Sequence, residues 1–171
     1  MVIDAHTHVI NQRGGNRKLR PEDLVASMKK AGIDYSLVFA NRLKYGQPTT
    51  SSEEGTSNEQ VLEFCQKFPQ LKAVACIDTT EINDGLKRAE EYFKKGLIHA
   101  LKLYPGYQDF NPAEKRLFPI YELCQRYKKP IIFHTRKHGL LRLLIRPEVG
   151  QIKPLMNYPV HYQPQSAVLL Q

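Results

Sequence analysis

No apolar run in this sequence approaches the roughly 20 residues that a membrane-spanning helix needs. The amino terminus also lacks the basic segment and long apolar core of a signal peptide, since it carries an acid and two histidines instead. Cysteine is scarce, and Cys65, Cys76 and Cys124 lie far apart without forming a Cys-x-x-Cys pair. These absences predict a cytoplasmic protein with no membrane partner, whose cysteines are buried free thiols in a reducing compartment.

The sequence has few acidic residues near its carboxyl end, and this imbalance produces half of its net charge of +8. Residues 136–171 contain five basic residues and one acidic residue, whereas the earlier basic residues are mixed with acids along predicted helices. No basic stripe with interleaved aromatic residues is present, so we expect no nucleic-acid partner. With 42% hydrophobic and 25% charged residues, the 171-residue chain is typical of one ordinary globular domain.

Apolar segments of strand length alternate with segments of helical periodicity throughout residues 1–135. The helix ends carry recognisable signals: Pro21 in a first turn, Gly32 after a last turn, and a capping box that begins at Ser57. The pattern predicts four β–α units followed by a fifth strand. We assign the strands to Val2–His6, Tyr35–Ala40, Lys72–Ile77, Ile98–Leu103 and Pro130–His134, and the helices to residues 21–31, 57–68, 83–95 and 113–128.

Nearly continuous apolar strands separated by helices indicate a parallel sheet covered by helices. Two architectures fit this pattern, an open doubly wound sheet and part of a (β/α)8 barrel. Neither GxGxxG nor GxxxxGK[ST] follows the first strand, so the usual signature of nucleotide-binding open sheets is missing. Histidines and a lysine lie at or near the carboxyl ends of predicted strands, where barrel enzymes place their chemistry. We therefore predict an α/β fold, a partial (β/α)8 TIM barrel.

The first strand ends in a His-x-His motif formed by His6 and His8. Side chains alternate along a strand, so these two imidazoles face the same way, about 7 Å apart along the backbone. A neutral imidazole is the commonest metal ligand among side chains. The motif therefore predicts a metal site at this end of the strand.

Four blocks of sequence, in this order and spacing, resemble the amidohydrolase-related, metal-dependent hydrolases with a TIM-barrel fold. The nearest branch of that family also contains decarboxylases similar to aminocarboxymuconate-semialdehyde decarboxylase. The resemblance covers residues 1–135 and implies a divalent metal cofactor, usually zinc and in some members manganese. The blocks are Ile3-Asp4-Ala5-His6-Thr7-His8, Lys30-Ala31-Gly32-Ile33-Asp34, Leu101-Lys102-Leu103-Tyr104-Pro105-Gly106-Tyr107, and Tyr121-Glu122-Leu123-Cys124 leading to Pro130-Ile131-Ile132-Phe133-His134-Thr135.

The resemblance implies that His6 and His8 are the metal ligands of strand one and that His134 is the ligand of strand five. The family also uses a strand-six histidine and a strand-eight aspartate that handles the water proton. Neither falls within residues 1–135, so the catalytic residues stay unassigned. Of the other histidines, His99 begins strand four at the end away from the expected site and is interpreted as structural. The remaining two, His138 and His161, have no ligand spacing.

Lys102 lies within an apolar strand, where an unpaired charge is costly. Some amidohydrolases carbamylate a strand-four lysine to bridge two metals, but the branch that this chain resembles usually has a mononuclear site. Lys102 is therefore interpreted as a hydrogen-bond donor, either to a carboxylate of the substrate or to Asp4. Tyr104, in the turn after strand four, is a second candidate for substrate binding; an exposed loop is the alternative for this turn.

The β–α pattern stops after Thr135, and residues 136–171 contain four prolines, one acid and no capped amphipathic helix. Leu155-Met156-Asn157-Tyr158 stands where the family has a helix start similar to Ile-Asp-Glu-Leu. One choice of codons for these four residues reads Ile-Asp-Glu-Leu in a shifted frame. We interpret the segment as an irregular tail with an out-of-frame end on a truncated barrel; a divergent native segment is the alternative. Open sheet edges would then favour a homo-oligomer or aggregation.

These features predict a metal-dependent hydrolase in which metal-activated water attacks an amide, ester or lactone-type small molecule, with activity impaired by truncation. Two alternatives stay open: a decarboxylase of a small aromatic or unsaturated carboxylate, and a non-catalytic metal-binding fragment. A deoxyribonuclease of the TatD type also begins with Asp-x-His-x-His. It would carry a glutamate in strand four, where this chain has Lys102, so it is ranked lower.

Overall fold

A sheet of five parallel strands is the centre of the computed structural model, which describes residues 1–9, 20–41, 55–105 and 107–134. The strands follow one another across the sheet in sequence order. The chain forms, in order, β1 (Ile3–Thr7), α1 (Pro21–Ala31), β2 (Tyr35–Phe39), α2 (Asn58–Lys67), β3 (Leu71–Cys76), α3 (Ile82–Lys94), β4 (Ala100–Leu103), a 3-10 turn (Lys115–Leu117), α4 (Phe118–Arg126) and β5 (Ile131–Phe133).

Both faces of the sheet are apolar, which explains why the strands read as nearly continuous hydrophobic runs. Along β2, Val38 belongs to the main core with the helices, whereas Leu37 and Phe39 belong to a second cluster on the other face. Val74 and Ala100 extend this second cluster across β3 and β4. The strands therefore present one face to the helices and a second apolar face to the side that becomes the interior in a closed barrel.

The helix signals in the sequence are present in the structure. Gly32 ends α1 with φ +69, a left-handed conformation that glycine adopts without strain. Ser57 caps α2: its hydroxyl accepts the amide of Gln60, and the Gln60 side chain accepts the amide of Ser57. The predicted capping box is thus confirmed, and it fixes where the chain turns from the loop into α2.

The predicted helix over residues 113–128 is wrong at its start, because α4 begins only at Phe118. A 3-10 turn over Lys115–Leu117 precedes it, and Pro119 occupies the first helical turn. Proline lacks an amide hydrogen and its ring excludes a preceding helical turn, so the regular helix starts at this point. Likewise β4 begins at Ala100 and not at Ile98.

All three cysteines are free. Cys76 and Cys124 are buried, and Cys65 is partly buried. Burial raises the pKa of each thiol to about 12, so the reactive thiolate is scarce at neutral pH. None of the helices in the described ranges combines the length and apolar character that crossing a membrane requires. The predicted tail, with His138 and His161, lies outside the described residues and stays a prediction.

Replacing Ser57 with alanine should lower the free energy of unfolding by about 1 kcal/mol, because the amide of Gln60 loses its acceptor. The measurement is chemical denaturation of the two proteins. Ser27→Ala is the matched control, since the Ser27 hydroxyl is exposed and only donates back to the Asp23 carbonyl within α1. It should change stability by less than about 0.5 kcal/mol. Equal losses in both variants would contradict the capping role.

Candidate metal centre

His6 and His8 lie together at the carboxyl end of β1. His6 is within the strand and His8 follows it, and their ring centroids are 5.0 Å apart. This proximity is what strand alternation predicts for a His-x-His motif. The two rings meet edge to face, with an angle of 67° between their planes, so the imidazoles are not stacked in parallel.

A buried phenylalanine ring, Phe39 at the end of β2, packs against both histidines. Its centroid is 4.4 Å from that of His6 and 5.9 Å from that of His8, and the residue is 0% exposed. An apolar ring in this position removes water from one side of each imidazole. The sequence analysis did not single out Phe39, because an apolar strand shows no sign of which face carries its largest side chain.

The imidazoles are held in their neutral form by this environment. Burial is the main cause that lowers the pKa of His6 from 6.5 to about 4, and the positive charge of Lys102 adds to the effect. Further contributions come from His8 and His134, while Asp4 acts in the opposite direction. Burial likewise lowers the pKa of His8. A neutral imidazole is the form that binds a metal, so the environment favours ligation at neutral pH.

The orientation of His8 is fixed by its backbone neighbour. Its Nδ1 lies 3.1 Å from the carbonyl oxygen of Phe39. A carbonyl oxygen only accepts hydrogen bonds, so Nδ1 carries the proton and donates it. In the neutral ring Nε2 then holds the lone pair. Protein histidines that ligate metals commonly have this arrangement, with the second ring nitrogen bound to a carbonyl or a carboxylate.

His134 follows β5 and lies at the same end of the sheet. Its amide donates to the carbonyl of Leu103, 2.9 Å away, which continues the pairing of β5 with β4. The imidazole packs edge to face on Tyr107, with centroids 4.7 Å apart, and lies 5.9 Å from the ring of Tyr104. Its charge contributes to the lowered pKa of His6, which places the two rings within electrostatic reach.

The three predicted ligands lie at one end of the sheet, but their side chains are not close enough together to bind one metal ion. Across the described ranges, no three or more histidine, cysteine, aspartate or glutamate side chains are close enough to hold a metal ion. His6 and His8 form the contacting pair, and His134 packs instead against the tyrosines of the β4 turn. Completing a three-histidine site therefore requires movement of the His134 ring.

Lys102 is 1% exposed and lies on β4 between two aromatic rings. Its Nζ is 5.2 Å from the centroid of Phe39 and 5.3 Å from that of Tyr104, which are cation–π distances. Burial lowers the pKa of this amine to about 8. None of the ion pairs formed by the described residues includes Lys102.

Asp4, one of the two predicted partners of Lys102, is engaged elsewhere. Its carboxylate accepts a hydrogen bond from the Ser36 hydroxyl at 3.0 Å and another from the His6 amide at 3.2 Å. Desolvation is the cause of the lowered pKa of Lys102, with no carboxylate contributing. Among the described residues Lys102 thus has no carboxylate partner, and the other interpretation, a donor to a carboxylate of the substrate, stays a prediction.

Tyr104 links β4 to β2. Its hydroxyl donates to the carbonyl oxygen of Ala40 at 2.8 Å, across a sequence separation of 64 residues. The residue is 2% exposed, and burial raises the pKa of its phenol well above the usual value, so the hydroxyl stays a neutral donor. Since the hydroxyl is committed to the backbone and the residue is buried, a contact between Tyr104 and a substrate stays a prediction.

The opposite end of the sheet differs in character. An open groove of about 570 Å³ lies at the amino ends of the strands and is lined by Met1, Asp34, Tyr35, Pro69, Gln70 and Lys72. His99 is exposed near that end, and burial of part of its ring together with Lys129 and Lys72 lowers its pKa. None of the predicted ligands lines this groove, so the carboxyl end is the candidate site.

The amidohydrolase family model matches residues 3–159 of the chain. No curated protein matches the sequence of this chain. Among solved structures, the chain is similar to a probable 2-pyrone-4,6-dicarboxylic acid hydrolase from Acinetobacter baumannii with citric acid bound. The TM-score is 0.54 at 16% identity, and the match covers 78% of this chain and 49% of that one.

Two further structures are similar. One is an amidohydrolase II, with a TM-score of 0.59, 13% identity, and coverage of 83% of this chain and 53% of that one. The other is a manganese-bound 5-carboxyvanillate decarboxylase from Novosphingobium aromaticivorans. Its TM-score is 0.53 at 17% identity, and the match covers 72% of this chain and 39% of that one. The chain thus spans about half or less of these structures. At such identities the likeness concerns the fold, and it confirms the partial (β/α)8 barrel over the open doubly wound sheet.

The neutral state of His6 makes the stability of the metal-free protein depend on pH. The pKa of His6 is about 4 in the folded chain and 6.5 when unperturbed, so between these values the unfolded chain binds a proton that the folded chain does not. The free energy of unfolding should therefore fall as the pH is lowered through this window. Denaturation in the presence of a chelator measures this slope. A His6→Asn variant should show a shallower slope, and an unchanged slope would contradict the assignment.

Proposed function

Because the chain belongs to the amidohydrolase family, whose members typically depend on a divalent metal, we propose that His6, His8 and His134 bind one divalent ion. The observation that carries the proposal is the hydrogen bond from His8 Nδ1 to the Phe39 carbonyl, which leaves Nε2 as the ligating atom. Three imidazoles with an open fourth position suit zinc, and manganese is the alternative.

The residues present fit such an ion in their chemistry. Burial keeps His6 and His8 neutral, so no proton has to be removed from either ring before ligation at pH 7. A divalent ion, when bound, supplies Lewis acidity toward water and toward a substrate oxygen. His134 completes the set by turning from Tyr107 toward the other two imidazoles.

Lys102 binds an anionic group of the substrate. Neutral histidines leave the positive charges of the ion and of Lys102 almost uncompensated by the described residues, among which Asp4 is the carboxylate that acts on His6. An isolated buried charge is costly, and a carboxylate beside the amine offsets that cost. Since the pKa of Lys102 is about 8, most of the amine is protonated at pH 7 and donates to such a carboxylate.

The proposed reaction is hydrolysis of an amide, ester or lactone in a small carboxylate-bearing molecule. Decarboxylation of a small aromatic or unsaturated carboxylate is the second candidate. The ring of Tyr107 favours this candidate, because it is only partly buried beside His134 and offers a face on which a planar substrate can stack. The general base is not assigned, so weak or absent turnover by this chain is part of the proposal.

Isothermal titration with Zn²⁺ and with Mn²⁺ tests the metal site. The wild-type chain should bind one ion, and alanine at His6, His8 or His134 should each weaken binding at least tenfold, because each removes one ligand of three. His99→Ala is the matched control, since this histidine lies outside the site and should leave the affinity unchanged. Equal affinity in the wild type and in His8→Ala would contradict the proposed ligand set.

Binding of a small aromatic carboxylate tests the role of Lys102. Lys102→Met keeps the length of the side chain and removes its charge, so carboxylate affinity should fall about 10- to 100-fold while metal affinity is retained. Lys72→Met is the control, because Lys72 contacts the Tyr35 ring at the other end of the sheet. Unchanged carboxylate affinity in Lys102→Met would contradict the role.

The reaction class is tested by product analysis with the metal-loaded chain. A panel of lactones, amides, esters and aromatic carboxylates separates hydrolysis from release of CO₂. Turnover that depends on added metal and is lost in His8→Ala would support an enzyme. Metal binding without turnover of any substrate would support the third interpretation, a non-catalytic metal-binding chain.

A further inference from the structure

We propose that Gln108 is a positioning residue that holds Tyr107 against His134 and thereby sets the orientation of that imidazole. Where it concerns metal affinity, this inference rests on the proposed function. The orientation itself is a property of the metal-free chain. No role is assigned to Gln108 from the sequence, and Tyr107 is included there only as part of the turn after strand four, which forms either a pocket wall or an exposed loop.

Gln108 joins the loop after β4 to the loop after β3. The residue is 3% exposed, and its Nε2 donates to the carboxylate of Asp78 at 2.5 Å. Its Oε1 accepts the amide of Thr79 at 3.3 Å. Both ends of the side-chain amide are thus used on consecutive residues of one loop. Such a buried, doubly bonded amide has a single orientation, because any rotation leaves a donor or an acceptor unsatisfied.

The other partner in this contact, Asp78, is itself held in place. Its Oδ1 also accepts the amide of Thr80 at 2.9 Å and the hydroxyl of Thr80 at 2.6 Å. The guanidinium of Arg116 bridges the same two loops, with one hydrogen bond to the Thr79 carbonyl at 2.9 Å and another to the Asp109 carbonyl at 3.3 Å. Loss of the Gln108 contact should therefore shift the turn without detaching it.

The backbone of the turn transmits this constraint to Tyr107. The amides of Tyr107 and Gln108 both donate to the carbonyl oxygen of Tyr104, at 3.2 Å and 3.0 Å. Because these two residues share one acceptor, fixing the Gln108 side chain fixes the position from which the Tyr107 ring projects. That ring meets the His134 imidazole edge to face at 4.7 Å. The chain of contacts runs from Asp78 through Gln108 and Tyr107 to His134.

Substitutions at Gln108 alter its hydrogen bonds to Asp78 and Thr79 in ways that can be distinguished. Gln108→Glu replaces the donor to Asp78 with a second carboxylate, so the contact becomes a repulsion between like charges. Gln108→Asn keeps the amide but is shorter by one methylene, so it loses the contact without adding charge. Both variants should release Tyr107 from His134, and Tyr107→Ala removes the ring outright.

Proton NMR of the metal-free chain measures the orientation directly. A tyrosine ring at this distance shifts the resonances of the His134 imidazole through its ring current, and a His134→Gln variant assigns those resonances. Gln108→Glu and Gln108→Asn should shift the His134 signals in the same direction as Tyr107→Ala and by at least half as much. The double variant Gln108→Glu with Tyr107→Ala should match Tyr107→Ala alone, since Gln108 acts through the tyrosine.

Gln125→Glu is the matched control, because Gln125 is exposed on α4 and receives the same charge change. It should leave the His134 signals unchanged. Thermal unfolding of every variant identifies any that fail to fold, and Gln108→Asn then decides the test if Gln108→Glu is one of them. Unchanged His134 signals in a folded Gln108 variant, or additive shifts in the double variant, would overturn the proposal.

Titration with Co²⁺ connects the orientation to the metal site. The His134 imidazole has to leave Tyr107 to join His6 and His8, so releasing that contact removes a cost of metal binding. Both Gln108 variants should therefore bind Co²⁺ several-fold more tightly than the wild type. Gln125→Glu, on the exposed face of α4, should bind Co²⁺ as the wild type does. Absence of Co²⁺ binding by the wild type would refute the proposed metal site, while the NMR comparison would still decide whether Gln108 positions His134.

Discussion

Burial of the Phe39 ring beneath two imidazoles and an amine is the contact on which the rest of this site depends. The ring excludes water from His6 and His8 and lies within 5.2 Å of the Lys102 ammonium. Desolvation is the largest cause of the lowered pKa of all three groups. One apolar side chain therefore lies against two neutral imidazoles and a buried amine at the same time, which suits the proposed metal ion and anionic substrate.

Backbone carbonyls at the carboxyl end of β2 bind side chains from two other strand ends. The Phe39 carbonyl accepts His8 from β1, and the next carbonyl, that of Ala40, accepts the Tyr104 hydroxyl from β4. Two consecutive carbonyls therefore hold side chains that follow β1, which is adjacent, and β4, which is two strands away, at the edge where chemistry is placed in a barrel. The site is built from strand ends and their first turns, so small changes in those turns reposition its side chains.

Much of this architecture could be predicted from the sequence, because its signals are local. Strand alternation placed His6 beside His8, and Ser57 marked the start of α2. Phe39 could not be recognised, since both faces of β2 are apolar and the sequence does not show which face lies under the histidines. Gln108 was equally hidden, because its partners lie about 30 residues away in another loop. Local patterns locate the candidate ligands, whereas long-range contacts determine how their side chains are held.

The central claim is that His6, His8 and His134 converge on one divalent ion at the carboxyl end of the sheet. X-ray absorption spectroscopy of the zinc-loaded chain tests it most directly, because it counts the nitrogen ligands and measures their distances. The account predicts three imidazole nitrogens at about 2.0–2.1 Å from one zinc, falling to two in His134→Ala. A spectrum that is identical in the wild type and in His134→Ala, or one that shows sulfur ligands at about 2.3 Å, would contradict it.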